Sequence, residues 1–305
     1  MAKSNVTPIN SRSKTIQGAS KYTERKELEL YGVTKTRITQ LKGSAAPFYH
    51  NVLIADVFSG TGINSVESDT IAGSPIRILD AVDAAIHNAS GFDPGALIDK
   101  SIRVWFSDIR QTAINSLNDL LSERSIPEGM NMKYQAVQMD AASAIEKIQT
   151  YLDQRMVYAG KQKNPKQHHP RLILVLDPNG PKQFPRDEVL YLLKHHSPRV
   201  DLIPYISATA VNRCINHRDK CDVKYNWWLS SIEGFDTGFV FAIAKGRPGW
   251  IRLPIPGDTQ KWLMMPSFSP NLRTHNAWEK QGFVMINSKE GIEAIKYYAG
   301  ERSAV

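Results

Sequence analysis

Short apolar runs alternate with longer segments of mixed polarity between residues 50 and 207. Each run has the length of one buried strand, and the segments between them have the spacing of amphipathic helices. The predicted strands are Val52–Phe58, Arg103–Asp108, Tyr134–Met139, Leu172–Leu176 and Val200–Ser207. The predicted helices are Pro75–His87, Gln111–Glu123 and a third that follows Asp140 and continues through Tyr151. This alternation predicts an α/β protein with a mostly parallel sheet and helices on both faces.

The two ends of the chain depart from this alternation. Residues 1–20 are polar and aperiodic and are predicted to be a flexible basic tail, while Lys21–Leu41 is predicted to form one or two helices. A late hairpin is predicted from Gly238–Ala244 and Trp250–Pro254. Because the sequence has no internal repeat and no clear linker, residues 21–305 are predicted to be a single domain with a C-terminal elaboration from about residue 215.

Composition narrows the class of protein. Of the 305 residues, 42% are apolar and 22% are charged, which is ordinary for a globular protein and excludes disordered and collagen-like chains. A mean hydropathy of −0.34, with no apolar run near ~18 residues, predicts that no helix spans a membrane. The N-terminus lacks the apolar stretch of a secretory signal, and Cys214 and Cys221 are too few for a disulfide framework. We therefore expect a cytoplasmic protein.

The net charge of +8 is distributed unevenly along the chain. Residues 1–50 carry nine Lys and Arg against three acids, residues 51–160 carry eight against fourteen, and residues 161–305 carry twenty-one against thirteen. Two basic flanks therefore enclose an acidic middle. A basic excess suits a polyanionic partner such as a nucleic acid, although a charge of this size also occurs in proteins that bind none.

A glycine loop follows the first predicted strand. Its sequence is Phe58-Ser59-Gly60-Thr61-Gly62. Glycines at such a turn let the backbone approach a ligand closely. The loop lacks the third glycine of the dinucleotide fingerprint and the Gly-Lys pair of a P-loop, so by itself it is also compatible with an ordinary tight turn.

Four successive strands end at or near an aspartate. These residues are Asp56, Asp108, Asp140 and Asp177. Any one of them could be a helix N-cap, but no structural rule requires a carboxylate at all four strand ends. The carboxyl ends of parallel strands border the ligand crevice of an open α/β sheet. A carboxylate at the position of Asp108 can accept hydrogen bonds from both hydroxyls of a ribose.

These motifs together resemble those of class I S-adenosylmethionine-dependent methyltransferases, which have a Rossmann-like fold. The resemblance rests on D-V-F-S-G-T-G at residues 56–62, G-S-P at residues 73–75 and D-P-N-G at residues 177–180, and it covers about residues 30–215. Within that group the pattern is most similar to the three-Cys-motif partner proteins. One departure is Ser59, where that family usually has Ala.

The resemblance implies a role for each matching residue. The cofactor, S-adenosylmethionine, would be bound by Asp56, Phe58, Gly60, Gly62, Asp108 and Asp140. Within this set, Asp108 would accept the ribose hydroxyls and Asp140 the adenine amino group. The catalytic turn would be formed by Asp177, Pro178 and Asn179.

Methyltransferases that modify a base amino group carry Pro and an aromatic residue at the last two positions of this turn. Asn179 and Gly180 stand there in this sequence, and Phe184 could supply the ring instead. The predicted function is methylation of an amino group of a nucleic-acid base, with adenine in DNA as the leading substrate. Two alternatives stay open: methylation of a protein or small molecule, and a catalytically silent Rossmann-like binding protein.

Two further groups of residues are candidate sites. Cys214, His217 and Cys221 are zinc-type ligands, but no fourth ligand is evident, and no metal site is predicted. The tryptophans near basic residues could stack on bases, although packing in the core is the favoured interpretation. They are Trp227, Trp228, Trp250 and Trp262.

Overall fold

The computed structural model describes twelve segments of the chain: residues 17–18, 21–43, 51–66, 69–87, 101–126, 132–178, 183–196, 199–207, 250–254, 262–264, 278–285 and 288–299. Its strands are β1 (Gln17–Gly18), β2 (Asn51–Asp56), β3 (Ile63–Val66), β4 (Asp69–Ala72), β5 (Ser101–Asp108), β6 (Met132–Gln138), β7 (Pro170–Leu176), β8 (Val200–Ser207), β9 (Trp250–Arg252), β10 (Trp262–Met264) and β11 (Phe283–Met285). Its helices are α1 (Lys21–Gly43), α2 (Ser74–His87), α3 (Gln111–Ser122), α4 (Ala141–Gly160), α5 (Pro165–His168), α6 (Arg186–His196) and α7 (Lys289–Ala299).

The main sheet has six strands in the order β10-β8-β7-β2-β5-β6. The five strands predicted from the sequence are all present and are parallel to one another, while β10 runs antiparallel to β8 at one edge. The parallel strands, counted along the chain, have the spatial order 3-2-1-4-5 of a Rossmann-like fold. The order therefore reverses between β2 and β7, and a ligand crevice is expected at their carboxyl ends.

Helices cover both faces of the sheet, as predicted. One hydrophobic cluster joins α1, α2 and α3 to one face, and a second joins α4, α6 and α7 to the other. Strands covered on both sides must be apolar on both sides. All six residues of β2 are accordingly buried, as are six of the seven residues of β7.

The first helix packs an apolar stripe into the core. Leu30, Val33, Ile38 and Leu41 recur at intervals of three to five residues and are all buried. The helix is continuous from Lys21 to Gly43, so the prediction of one or two helices is resolved in favour of one.

A small sheet between the glycine loop and α2 was not predicted. Strands β3 and β4 form an antiparallel hairpin, and β1 pairs in parallel with β3. Four polar residues in these strands hide them from a search for apolar runs: Asn64, Ser65, Asp69 and Thr70.

The helix α4 continues to Gly160, nine residues beyond its predicted extent.

The C-terminal elements contribute to the same core. Strand β9 pairs with β11, whereas the other half of the predicted late hairpin, Gly238–Ala244, lies outside the described residues. Trp250 and Trp278 are fully buried and pack edge to face, with ring centroids 5.2 Å apart. Trp250 is therefore a core residue. Among the described helices, none is both long enough and apolar enough to cross a membrane.

Candidate active site

A cavity of about 960 Å³ opens at the carboxyl ends of the parallel strands. It lies at the topological switch point between β2 and β7 and is large for a small-molecule site, which commonly measures about 300–1,000 Å³. Residues with polar groups in its wall include Lys26, Glu27, Gly60, Asp108, Asp140 and Asp177. Phe58 and Pro178 also line the cavity. The structure thus brings together six of the nine site residues predicted from the sequence.

The glycine loop is tied to the end of β5. Gly60 has a positive φ of 62°, and its backbone N–H donates to Oδ2 of Asp108 at 3.0 Å. The backbone N–H and Oγ of Ser59 donate to the carbonyl of Ser107 at 3.0 and 3.1 Å. Because a left-handed backbone favours glycine, Gly60 lets the loop turn back onto the adjacent strand. The loop forms one wall of the cavity.

Gly62 has a packing role that was not predicted. It does not line the cavity; its φ is +78°, and a Cβ there would lie 3.0 Å from Leu120 and 3.1 Å from Leu117 of α3. Its carbonyl accepts a hydrogen bond from the N–H of Gly73 at 2.8 Å. Gly62 therefore allows close packing between the loop, α3 and the start of α2, and a direct contact with a cofactor stays a prediction.

Asp56 lies beneath the cavity and does not line it. The side chain is 0% exposed, and it accepts hydrogen bonds from Oγ of Ser74 at 2.6 Å and from the N–H of Phe58 at 3.0 Å. Burial raises the pKa of Asp56 to about 7, although these two hydrogen bonds oppose the shift. Asp56 joins the loop to α2 from below, and its predicted contact with a cofactor is untested.

Asp108 forms a dense contact with Arg110. The backbone N–H and Nε of Arg110 donate to Oδ1 at 2.8 and 3.0 Å, and Nη2 donates to Oδ2 at 3.1 Å. Partial burial would raise the pKa of Asp108, but the hydrogen bonds and charge of Arg110 outweigh it and lower the pKa. Asp108 is therefore an ionised acceptor in the cavity wall.

Asp140 caps α4. Its Oδ1 accepts from the N–H of Ser143 at 3.0 Å and its Oδ2 from Oγ of the same residue at 2.7 Å. These bonds lower the pKa of Asp140. The structure therefore shows that Asp140 is a helix N-cap, which was one of the alternatives that the sequence left open. The side chain is exposed and lines the cavity, so its oxygens can accept further bonds.

The predicted catalytic turn begins beside a lysine of the first helix. Nζ of Lys26 donates to Oδ2 of Asp177 in a largely buried ion pair. Burial would lower the pKa of Lys26, but the hydrogen bond to Asp177 and the charges of Asp177, Glu27 and Asp56 together outweigh it and raise the pKa. Phe184 is buried in the cavity wall, while Asn179 lies outside the described residues.

Sequence reasoning did not identify Lys26 or Glu27 as site residues. Glu27 is 2% exposed, and its Oε1 lies 3.9 Å from Nζ of Lys26. Burial, reinforced by Asp56 and Asp177, raises the pKa of Glu27 to about 8 despite the opposing charge of Lys26. Glu27 stands three residues before Leu30, on the buried face of α1. The sequence did contain a signal for this site, namely a charged residue at a helical position where the period places apolar residues.

Five further candidates from the sequence are not described by the structure. Cys214, His217, Cys221, Trp227 and Trp228 lie outside the described residues. Within the part of the chain that the structure describes, no group of three or more His, Cys, Asp or Glu side chains is arranged to hold a metal ion.

Neither a protein-family model nor a curated protein matches the chain. Solved structures match it at low similarity. Protein LPL1258 from Legionella pneumophila, of family model DUF519, is 12% identical with a TM-score of 0.43, over 90% of this chain and 92% of that one. Trm1 from Pyrococcus horikoshii, in complex with S-adenosyl-L-methionine, is 14% identical with a TM-score of 0.38, over 84% of this chain and 62% of that one. The plantazolicin methyltransferase BamL, in complex with a triazolic desmethylPZN analog and SAH, is 13% identical with a TM-score of 0.35, over 92% of this chain and 82% of that one.

Similarities of this size do not identify a family. The specific resemblance to three-Cys-motif partner proteins is not confirmed by them. The function is therefore inferred from the cavity and its residues.

Proposed function

We propose that this protein is an S-adenosylmethionine-dependent methyltransferase that modifies an amino group of a nucleic-acid base. The observation that carries the proposal is the contact between Gly60 and Asp108. It joins a glycine loop to an acidic strand end in the wall of a large cavity, at the switch point of a Rossmann-like sheet. An inert scaffold does not need this combination.

The wall residues fit the parts of the cofactor. Asp108 would accept the ribose hydroxyls, Asp140 the adenine amino group, and the loop at Gly60 would lie along the methionine part. When bound, the cofactor supplies a methyl group on a positively charged sulfur. The acidic groups Asp108 and Asp177 suit a cation in the same cavity.

Asp177 is the proposed acceptor for the target amine. An exocyclic amine is a weak nucleophile because its lone pair is conjugated into the ring, and a hydrogen bond to a carboxylate favours a more tetrahedral nitrogen. The hydrogen bond from Lys26 orients this carboxylate. The buried ring of Phe184 in the wall could pack against a base. The net charge of +8 favours a polyanionic substrate.

Two measurements test this function. Calorimetry with S-adenosylhomocysteine should show binding in the micromolar range, about −8 kcal/mol. Transfer of labelled methyl from S-adenosylmethionine to separate DNA, RNA and protein pools, followed by nucleoside mass spectrometry, should label a base amino group. Absence of cofactor binding at low salt contradicts the cofactor assignment.

The substrate class has its own test. If phosphates are bound, affinity for the labelled nucleic acid should fall about tenfold or more between 50 and 200 mM salt. Label confined to the protein pool, or binding that is independent of salt, contradicts a nucleic-acid substrate and favours a protein or small-molecule acceptor.

A further inference from the structure

Glu27 is a buried carboxyl group in the cavity wall with one oxygen unused. The residue is 2% exposed, and its Oε2 has no hydrogen-bond partner among the described residues. Leaving a buried polar atom unpaired costs about 1–3 kcal/mol in stability. A group that carries this cost beside a ligand cavity is a candidate for a role in the bound state.

None of the charged neighbours named below holds Glu27 in a close ion pair. On its own helix, Lys26 lies 3.9 Å away, but its Nζ donates to Asp177 instead. The groups that face Glu27 from other elements are Asp177 after β7, Asp56 at the end of β2, Arg77 of α2 and Tyr205 of β8. Two of these are further acids. The surroundings therefore favour a proton on Glu27 and oppose a permanent charge.

We infer that Glu27 is the general base of this site, with its carboxylate accepting the proton that the target nitrogen loses on methylation. This inference rests on the proposed function and assigns a residue that the sequence motifs do not contain. Asp177, already bonded to Lys26, would orient the amine, and Glu27 would receive its proton.

The step balances in atoms and electrons. The lone pair of the nitrogen forms the new N–C bond, and the pair of the breaking C–S bond stays on sulfur, which becomes a neutral thioether. The methylated nitrogen, briefly cationic, releases its proton to the carboxylate of Glu27. The protonated carboxyl then returns the proton to solvent when the products leave.

The acid–base property of Glu27 suits this task. Because burial raises its pKa to about 8, a substantial fraction of Glu27 is ionised just above neutral pH, and its conjugate acid is weak enough to hold a proton. A carboxylate at its usual pKa would be a much weaker base.

The test compares the wild type with Glu27→Gln and Glu27→Asp, using labelled S-adenosylmethionine and the separate DNA, RNA and protein pools as acceptors. Glu24→Gln, which changes an exposed acid on the same helix, is the matched control.

The wild-type rate should rise with pH through about 8, the pKa of Glu27. Glu27→Gln should lower kcat by ~100-fold or more and lose this rise, while KM for the cofactor and binding of S-adenosylhomocysteine change by less than about threefold. Asp56 titrates in all variants and so does not produce the difference.

Each outcome supports or overturns the inference. Glu27→Gln with wild-type kcat and pH profile overturns it and leaves the proposed function intact. If the wild type labels no pool, the proposed function and this inference both fail. Should Glu27→Gln not fold, as judged by its melting curve, Glu27→Asp decides: a displaced pH profile supports a base at this position, and an unchanged profile overturns it.

Discussion

Arg110 and Asp108 are joined by three hydrogen bonds of 2.8, 3.0 and 3.1 Å, all to one carboxylate. A fourth bond comes from the N–H of Gly60. A carboxylate offers about four acceptor sites, so those of Asp108 are fully used. If Asp108 accepts the ribose hydroxyls, the guanidinium of Arg110 must first leave it.

Removing this competitor should therefore strengthen cofactor binding. In Arg110→Ala the carboxylate is open to the ribose, and we expect S-adenosylhomocysteine to bind about threefold or more tightly, as measured by calorimetry. Arg110→Lys, which keeps the charge but not the two-point geometry, should show a smaller gain. Weaker binding in Arg110→Ala would show that Arg110 itself contacts the cofactor.

Neutralising the proposed ribose acceptor should have the opposite effect. Asp108→Asn loses charge-assisted hydrogen bonds, and binding of S-adenosylhomocysteine should weaken by ~1–3 kcal/mol, about 10- to 100-fold. Asp119→Asn, an exposed position on α3, is the control and should bind like the wild type. Unchanged calorimetric affinity in Asp108→Asn would remove Asp108 from the cofactor site.

The proposed catalytic aspartate should act on rate and not on cofactor affinity. Asp177→Asn should lower kcat by ~100-fold or more, because the hydrogen bond to the target amine is needed during methyl transfer. It should change the binding of S-adenosylhomocysteine by less than about threefold, because that bond is not made to the cofactor. Asp187→Asn, an exposed acid near the start of α6, is the matched control. Full activity of Asp177→Asn in the labelling assay would mean that the turn is structural.

The buried Glu27 should make stability depend on pH. Its pKa is raised from 4.5 to about 8 in the folded protein, so the folded state holds this proton more tightly than the unfolded state, and stability is lost as pH rises through that window. Glu27→Gln removes this loss. From pH 4 to pH 9 the variant should gain about 2–4 kcal/mol in unfolding free energy relative to the wild type, measured by denaturant titration at each pH. A difference that does not change with pH would contradict the raised pKa.

Two glycines offer a matched test of the loop. Gly62→Ala introduces a Cβ at positive φ with contacts at 3.0 and 3.1 Å, and we expect a loss of about 1–3 kcal/mol in unfolding free energy. At Gly160, the last residue of α4, a Cβ meets nothing within 4 Å, and Gly160→Ala should be neutral or slightly stabilising. Equal stability of the two variants in thermal melts would show that the loop at Gly62 relaxes without cost.

The sequence by itself determined the five parallel strands and the placement of Asp108 and Asp177 at one edge. Apolar runs mark buried strands, and parallel strands end on the same side. Asp140 was also placed correctly, with its N-cap role among the open alternatives. The hairpin of β3 and β4 escaped prediction because its pairing depends on backbone hydrogen bonds between polar segments, which leave no hydrophobic period.

Only the tertiary structure decided which residues share the cavity and which lie beneath it. Lys26 and Asp177 are 151 residues apart in the chain, and nothing local to either indicates the other. The packing of α1 against the sheet brings Lys26 and Glu27 to the strand ends, while the same packing leaves Asp56 buried below them. Local periodicity encodes strands and helices, but long-range contacts arise from how their faces pack, so the electrostatics of the site depend on the folded arrangement.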